Sequence, residues 1–337
     1  MATMMAARFE KNGSYPSWVE MEAPKPQRGE VRVKLRAAAL NRRDYWITQG
    51  QYPGVEPPHI LGSDGVGTVD AVGPETDCPF SSDQRVVINP GLSWGDDNAF
   101  QSNHFEILGV PRDGTLAQYV TVPADSIFAC PAHLSDAEAA ALPLAGLTAY
   151  RALFTRAQLK PQDKVFISGL GGGVSSIGAL FAKAVGTEVF GTSGSDDKLK
   201  TLQKHYQLKG FNYRSDGWIK DALRETGGVD VVLDGSGGEG FKDLLKLLKP
   251  GGRLAFYGGT CGKWPAILPQ HLFYRQISIL ASTMGSSDDF RGMLDLVTKH
   301  QIKPIVWKEI EAPSVGEAFE AMATHSQLGK IVVAMPD

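Results

Sequence analysis

The sequence predicts an α/β chain in two parts, a β-barrel-like domain followed by a doubly wound parallel sheet. Three observations carry that expectation. Residues 1 to about 128 read as short strands punctuated by proline and glycine. Residues from about 129 to 270 alternate strand with helix, the pattern of a parallel sheet covered on both faces. Near the head of that alternation, Lys164-Val-Phe-Ile-Ser-Gly-Leu-Gly-Gly-Gly-Val174 runs from an apolar strand through four glycines into a helical repeat.

In chain order, Val31-Arg-Val-Lys-Leu-Arg36 alternates apolar and charged residues, as a half-buried strand does. Gly65–Gly73, Gln84–Asn89 and Ala117–Val122 add three more strands to the first part. In the second part, Val165, Phe166 and Ile167 form the opening strand. Val174, Ile177, Leu180, Phe181, Ala184 and Val185 then fall on one helical face. Glu188–Thr192, a helix from about Asp196, Val229–Asp234 and Gly252–Tyr257 continue the alternation. Gln276–Ala281 reads as one more strand of this sheet. A helix near Ser314–Thr324 and the strand Lys330–Ala334 are expected to return to the first part.

Composition sets the outer limits. A chain of 337 residues suits two domains, and 42% hydrophobic with 21% charged residues is ordinary for a globular protein. The net charge of −3 gives no reason to expect nucleic acid or an anionic membrane as partner. Cys78, Cys130 and Cys261 are too few and too far apart for a disulfide framework, which points to a reducing compartment. No apolar run of about 18 residues is present. The start, Met1–Glu10, lacks the features of a targeting peptide, so a cytoplasmic location is the expectation.

The glycine turn carries the first functional implication. Glycine allows a sharp turn and lets a diphosphate approach the amides at a helix start, where the helix dipole favours an anion. A plain loop is the alternative, but the flanking strand and helix favour a dinucleotide. Ser175 stands where the last glycine of the usual pattern would be.

These residues, with Asn41-Arg-Arg-Asp44, Pro58–Gly67, Leu144–Tyr150 and Gly258-Gly259, resemble the medium-chain dehydrogenase/reductase superfamily. Within it, the zinc-independent quinone oxidoreductase branch, to which zeta-crystallin belongs, is most similar. The resemblance implies a GroES-like β-barrel catalytic domain over 1–128, completed by about 285–337. It implies a Rossmann NAD(P)-binding domain over 129–284. The positions that match the catalytic zinc ligands of the superfamily's alcohol dehydrogenases are Asn41, Ser63 with Asp64, and Leu144. Zinc prefers thiolate and imidazole, which these do not supply. The loop 89–115 has no cysteine for a structural zinc, and His104 there stands alone. No metal is expected.

Without a metal, conjugated electrophiles such as quinones and α,β-unsaturated carbonyls suit hydride transfer better than simple alcohols do. An alcohol dehydrogenase-type activity and a non-catalytic nucleotide-binding role remain as alternatives. The resemblance further implies that Gly171, Gly172, Gly173 and Val174 cradle the diphosphate, and that Gly194 passes under the adenosine ribose. Ser193 falls where NAD enzymes carry an acid. With Lys198 and Tyr213 near a 2′-phosphate, NADPH is favoured over NADH, although Asp196 and Asp197 oppose it. Lys198 as a solvated helix residue and Tyr213 as a core aromatic are the plainer readings.

Tyr257, Gly258 and Gly259 would sit at a strand end where ligands collect, Thr148 near the nicotinamide amide, and Thr283 and Met284 at the same end. The last two also read as turn or core residues. Relatives carry tyrosines in and after the Asn-x-x-Asp segment. Here the first is Trp46, counted on the cofactor side as an apolar wall for a flat substrate, while Tyr52 is retained. Tyr52, Asn41 and Asp44 are the candidate catalytic residues, although Asp44 suits orienting the turn. Solvent or the cofactor ribose is the alternative proton source. The loop from Asn89 to Thr115, with Trp94 and Phe105, reads either as a cap on the substrate or as a packed surface loop.

Gln276–Ala281 is expected at a sheet edge, apolar and without the proline or lysine that protects such edges. A homodimer paired along it is expected, as the resemblance also implies. The competing arrangement has the C-terminal helix covering the edge.

Overall fold

The computed structural model describes residues 2–336. Contacts divide the chain into two units, residues 1–145 with 285–337, and residues 146–284. Residues 129–145, expected in the second domain, therefore belong to the first. Their short helix, Asp136–Ala140, buries Ala139 and Ala140 against the barrel strands instead of opening the parallel sheet. Arg85 Nε holds Asp136 there at 2.8 Å.

The first unit is built around the long strand Glu30–Ala39, which buries Val31, Val33 and Leu35 on alternate positions as the charge pattern requires. On one side it pairs antiparallel with Asp64–Val72, Val31 opposite Val72 and Ala39 opposite Asp64. On the other, its first half pairs with Tyr119–Pro123 and its last residues with Lys330–Ala334. The strands Arg85–Ile88 and Ile127–Ala129 extend the sheet at one end, and Val306–Glu311 closes the other. A smaller sheet joins Thr3–Phe9 to Ser17–Glu22 and His59–Ile60. The helix Val315–Ala323 lays Val315, Ala318, Phe319 and Met322 into this unit's own core.

The second unit is a six-stranded sheet whose adjacent strands pair in parallel. The spatial order is Lys209–Asn212, Glu188–Ser193, Lys164–Ile167, Val229–Asp234, Leu248–Phe256 and Ser278–Ala281. The opening strand Lys164–Ile167 is central, and Val165, Phe166 and Ile167 are fully buried there. That explains a continuous apolar run where a half-buried strand would alternate. Chain direction across the sheet reverses between this strand and Val229–Asp234, and ligands of such sheets collect at the carboxyl ends beside the reversal. Ser278–Ala281 lies at the edge. Among the described residues, no helix is long and apolar enough to cross a membrane.

The loop 89–115 packs on itself. Trp94 is buried, stands edge-on to Phe105 at 5.2 Å, and donates from Nε1 to Asp97 O at 3.0 Å. Asn98 Nδ2 ties the loop to Asp288 at 2.8 Å. His104 is exposed.

Candidate active site

In the second unit, the strand Lys164–Ile167 ends at Ser168, and Gly169 takes a φ of 62°, which side-chain-bearing residues rarely adopt. The turn is fixed from the next strand. Gly169 N donates to Thr192 Oγ1 at 3.1 Å and Leu170 N to Thr192 O at 2.7 Å. The helix Gly173–Ala184 starts at Gly172 with no side-chain cap. Its first amides keep their hydrogens and the positive end of the dipole for an anion. Ser175, in the missing glycine's place, donates to Ser168 O at 2.8 Å and meets the Tyr257 hydroxyl at 3.0 Å.

Tyr257 and Gly258 follow the strand Leu248–Phe256 at its carboxyl end, beside the turn. Burial pushes the Tyr257 phenol far above its usual range, with Asp234 pushing the same way and the Ser175 hydrogen bond opposing. The Tyr257 hydroxyl is engaged with Ser175. Below it, buried Asp234 accepts from Ser168 Oγ at 2.5 Å and from the amides of Ser236 and Gly237, both at 3.0 Å. That carboxylate holds the loop Gly235–Gly237 in place.

The strand Glu188–Ser193 delivers Gly194. A Cβ on Gly194 would fall 2.6 Å from the Tyr213 hydroxyl and 3.0 Å from Arg214 Nε, so the glycine leaves room under both groups. Tyr213 is 49% exposed, which rules out the core-aromatic reading. Burial draws the Lys198 ammonium below the usual lysine range. Asp196, the feared competitor, is bound by Asn212 Nδ2 at 2.9 Å. Arg214 is not singled out by the sequence, because an arginine after a strand looks like solvated surface there. Thr148 and Met284 are both buried and meet, Oγ1 to Sδ at 4.0 Å, while Thr283 is exposed.

In the first unit, Asn41 precedes the helix Arg42–Thr48, and Asp44 caps it. Asp44 is fully buried and accepts from Asn41 N at 2.7 Å and Gly62 N at 3.3 Å. Burial pushes its carboxyl up, against the pull of Arg43, the Asn41 amide and Lys330. Both its oxygens are engaged on backbone amides, the geometry of a residue that orients the turn. Asn41 is also spent on packing charge. Its Nδ2 donates to Asp64 Oδ2 at 2.9 Å, and its Oδ1 accepts from Lys330 Nζ at 2.6 Å. Lys330 Nζ reaches Asp64 Oδ2 at 2.9 Å, and Leu144 N donates to Asp64 Oδ1 at 2.7 Å. Lys330 and Asp64 are 3% and 0% exposed, so this is a buried ion pair with its remaining acceptors filled. In sequence, Lys330 was legible only as part of a strand.

Arg43 lies beside this cluster. Its Nη1 donates to Ser63 Oγ at 2.9 Å and Leu108 O at 3.1 Å, and its guanidinium sits 5.1 Å over the Tyr52 ring. Tyr52 and Trp46 are half-buried, and Trp46 stands edge-on to Tyr45 at 5.6 Å.

An uncapped helix start behind a glycine turn, on a doubly wound sheet joined to a barrel, defines a two-domain dinucleotide-binding protein. Comparison with known proteins agrees. A family model described as alcohol dehydrogenase GroES-like domain matches residues 27–132, and one described as zinc-binding dehydrogenase matches residues 173–299. The chain is 34% identical over 334 residues to the zinc-type alcohol dehydrogenase-like protein YogA of Leptosphaeria maculans, covering 92% of each. It is 27% identical to the quinone oxidoreductase of Mus musculus, over 94% of this chain and 92% of that one. A solved structure of an NAD-dependent alcohol dehydrogenase superposes with a TM-score of 0.92 at 36% identity, covering 99% of this chain and 100% of that chain. The chain belongs to the medium-chain dehydrogenase/reductase superfamily and is an oxidoreductase working with a nicotinamide cofactor.

The glycine turn, the uncapped helix start and the space over Gly194 fit that cofactor. The zinc in one matched family's description does not fit. Asn41 is an amide, Leu144 is apolar, and Ser63 Oγ already donates to Leu108 O at 2.7 Å. The Lys330 ammonium occupies the space between Asn41 and Asp64. Among the described residues, no group of three or more His, Cys, Asp or Glu side chains is gathered for a metal.

Proposed function

We propose that the protein is a zinc-independent, NADPH-dependent reductase that transfers hydride to a quinone or another α,β-unsaturated carbonyl. The observation that carries this reading is the buried Lys330–Asp64 pair, bridged by Asn41. A divalent cation would have to displace an ammonium already neutralised there. Oxidation of a simple alcohol passes through alkoxide character that such a cation normally stabilises, whereas a conjugated carbonyl accepts hydride readily without one.

When bound, the nicotinamide supplies the hydride. The chain's own residues bind and orient. The amides at the Gly173–Ala184 helix start hold the diphosphate, and Ser193, Lys198, Tyr213 and Arg214 surround the place for a 2′-phosphate. An arginine fork suits phosphate better than a point charge does, so Arg214 strengthens the preference that Ser193 permits. The similar solved structure is named NAD-dependent, so the preference proposed here rests on these residues alone and not on that likeness.

The alternative is the alcohol dehydrogenase activity for which two of the similar proteins are named. Oxidation of NADPH followed by absorbance with 2-cyclohexenone and 1,4-benzoquinone, beside NADP⁺ reduction with primary and secondary alcohols, separates the two. Reduction of the conjugated substrates, unchanged by a chelator and with well under one zinc per chain by elemental analysis, is the expected result. Alcohol oxidation abolished by the chelator would overturn it, and no turnover of either kind would favour a non-catalytic nucleotide-binding role.

We also propose that two copies pair along Ser278–Ala281. Ser282 N donates inward to Phe256 O at 2.9 Å, so by alternation the N–H groups of Ile279 and Ala281 face the open edge. Arg156 Nε takes Ala281 O at 2.9 Å. Phe273 and Tyr274, just before this strand, are 67% and 86% exposed, an apolar surface that a second copy would cover.

A further inference from the structure

Asp234 is a fully buried carboxylate that, among the described residues, no ion pair includes. Its hydrogen-bond donors, Ser168 Oγ and the amides of Ser236 and Gly237, are all neutral. Burying a carboxylate without a cation is costly, so this one needs a reason. What it offers is acceptor capacity on both oxygens. Oδ1 takes Ser168 Oγ and Ser236 N, and Oδ2 takes Gly237 N. An asparagine of the same shape would turn an NH2 group on one of those donors.

The groups gathered there come from three strand ends of the second unit. Ser168 ends the central strand just before the glycine turn, and its Oγ accepts from Gly235 N at 3.4 Å and Ser236 Oγ at 3.3 Å. Loop 235–238 interlocks with loop 257–262, which follows the neighbouring strand. Tyr257 N donates to Asp234 O at 3.0 Å, Cys261 N to Ser236 O at 2.7 Å and Gly238 N to Gly262 O at 3.1 Å. No side chain would fit between the two loops. A Cβ on Gly237 would lie 3.1 Å from Gly259 Cα, and one on Gly238 would lie 2.8 Å from Cys261 Cβ. Gly237 and Gly238 both take a φ of 62°, where side-chain-bearing residues are strained. The loops form one body. Asp234 and Ser168, with the Ser175–Tyr257 contact, fasten that body to the glycine turn.

We propose that Asp234 is a positioning residue for the dinucleotide. It acts through the two loops and not on the cofactor, since its oxygens are buried and already bonded. The loops stand at the carboxyl ends of their strands beside the glycine turn, where a doubly wound sheet takes its ligand. Asp234 holds them, before the cofactor arrives, in the conformation that receives it. Loosening them leaves fewer molecules binding-competent, and apparent affinity falls by that fraction. The bound state is the same once formed, so turnover at saturating cofactor is preserved. This role requires only the dinucleotide site of the second unit, and is the same whether the substrate is a conjugated carbonyl or an alcohol.

The test titrates Asp234→Asn with NADPH and with NADH by isothermal calorimetry, beside urea unfolding. Both cofactors should bind about tenfold more weakly and by the same factor, the value of one charge-assisted hydrogen bond. With whichever substrate the parent turns over, the cofactor KM should rise by that factor while kcat stays within about twofold. Amide hydrogen exchange over 235–238 and 257–262 should quicken in the free variant and return to the parent's rate when cofactor saturates it. Ser168→Ala keeps the carboxylate and both its amide donors. It should show a smaller loss of the same kind, and serves as the test variant if Asp234→Asn does not fold. Unchanged affinity for both cofactors, with or without a lowered urea midpoint, would overturn the proposal and leave Asp234 a strut of the fold. A loss for NADPH alone would also overturn it, as would a fall in kcat at saturating cofactor, which would put Asp234 in the chemistry. A parent that binds neither cofactor would refute the dinucleotide site itself.

Discussion

The two units hold their polar groups in opposite ways. In the first, Lys330, Asp64 and Asn41 satisfy one another out of contact with solvent, and Asp44 is spent on backbone. In the second, the helix after the glycine turn starts without a side-chain cap, Gly194 leaves space under Tyr213 and Arg214, and the edge strand is unpaired on one side. The first arrangement is expensive to disturb and indifferent to ligand; the second is cheap to disturb and waits for one. Substitutions in the first unit's cluster should therefore be read in unfolding, and those around the second unit's open groups in binding.

The largest effect expected is from Lys330→Met. Removing one partner of a buried pair leaves the other charge uncompensated, at a cost of about 3–5 kcal/mol. Urea unfolding followed by tryptophan fluorescence should show that loss, and adding Asp64→Asn should recover part of it. A loss under about 1 kcal/mol would mean that the pair is hydrated and the contrast between the units is false.

Next is Arg214→Ala, which should weaken NADPH about tenfold, the value of a charge-assisted hydrogen bond to phosphate, and leave NADH unchanged by isothermal titration. An equal loss for both cofactors would place Arg214 elsewhere than at the 2′-phosphate. Sedimentation equilibrium of the parent should give a mass twice the 36.3 kDa of one chain. Ile279→Pro, which deletes an outward N–H while sparing the inward ladder, should shift it toward one. A monomeric parent would dispose of the pairing.

The smallest effect concerns pH. Burial lowers the Lys198 pKa, so in the free protein its charge is lost on approaching the ordinary lysine range, about 10.4, from below. A bound phosphate favours the charged form and draws a proton back. The ratio of NADPH to NADH affinity should thus fall as pH rises through the alkaline range, and stay flatter in Lys198→Met.

What was legible in the sequence follows from distance along the chain. The glycine turn, the strand before it and the helix after it are contiguous, so spacing alone places Gly171–Val174 on the carboxyl side of a sheet strand. The long strand Glu30–Ala39 is legible for the same reason, its alternation being written in neighbouring residues. Lys330 is 266 residues from Asp64 and 289 from Asn41, and a lysine opening a strand gives no sign of burial. Arg42 and Arg43 are indistinguishable on paper. In space Arg42 Nη1 turns to Met322 O at 3.0 Å and Arg43 turns inward to Ser63. The boundary near residue 128 was misplaced because a short alanine-rich helix looks the same whether it begins an α/β alternation or packs on a barrel.

The long reach from Asp64 to Lys330 also sets an order of assembly. A ribosome adding roughly 5–20 residues per second needs about 13–53 s to travel those 266 residues. Residues 146–284 are contiguous and complete before Lys330 is made, so the parallel sheet is free to fold while the barrel still lacks its inner strand. Throughout that interval Asp64 has no lysine to neutralise it, and the edge of Glu30–Ala39 that later receives Val332–Ala334 is unpaired. The part of the protein translated first is thus finished last, after the contiguous parallel sheet is complete.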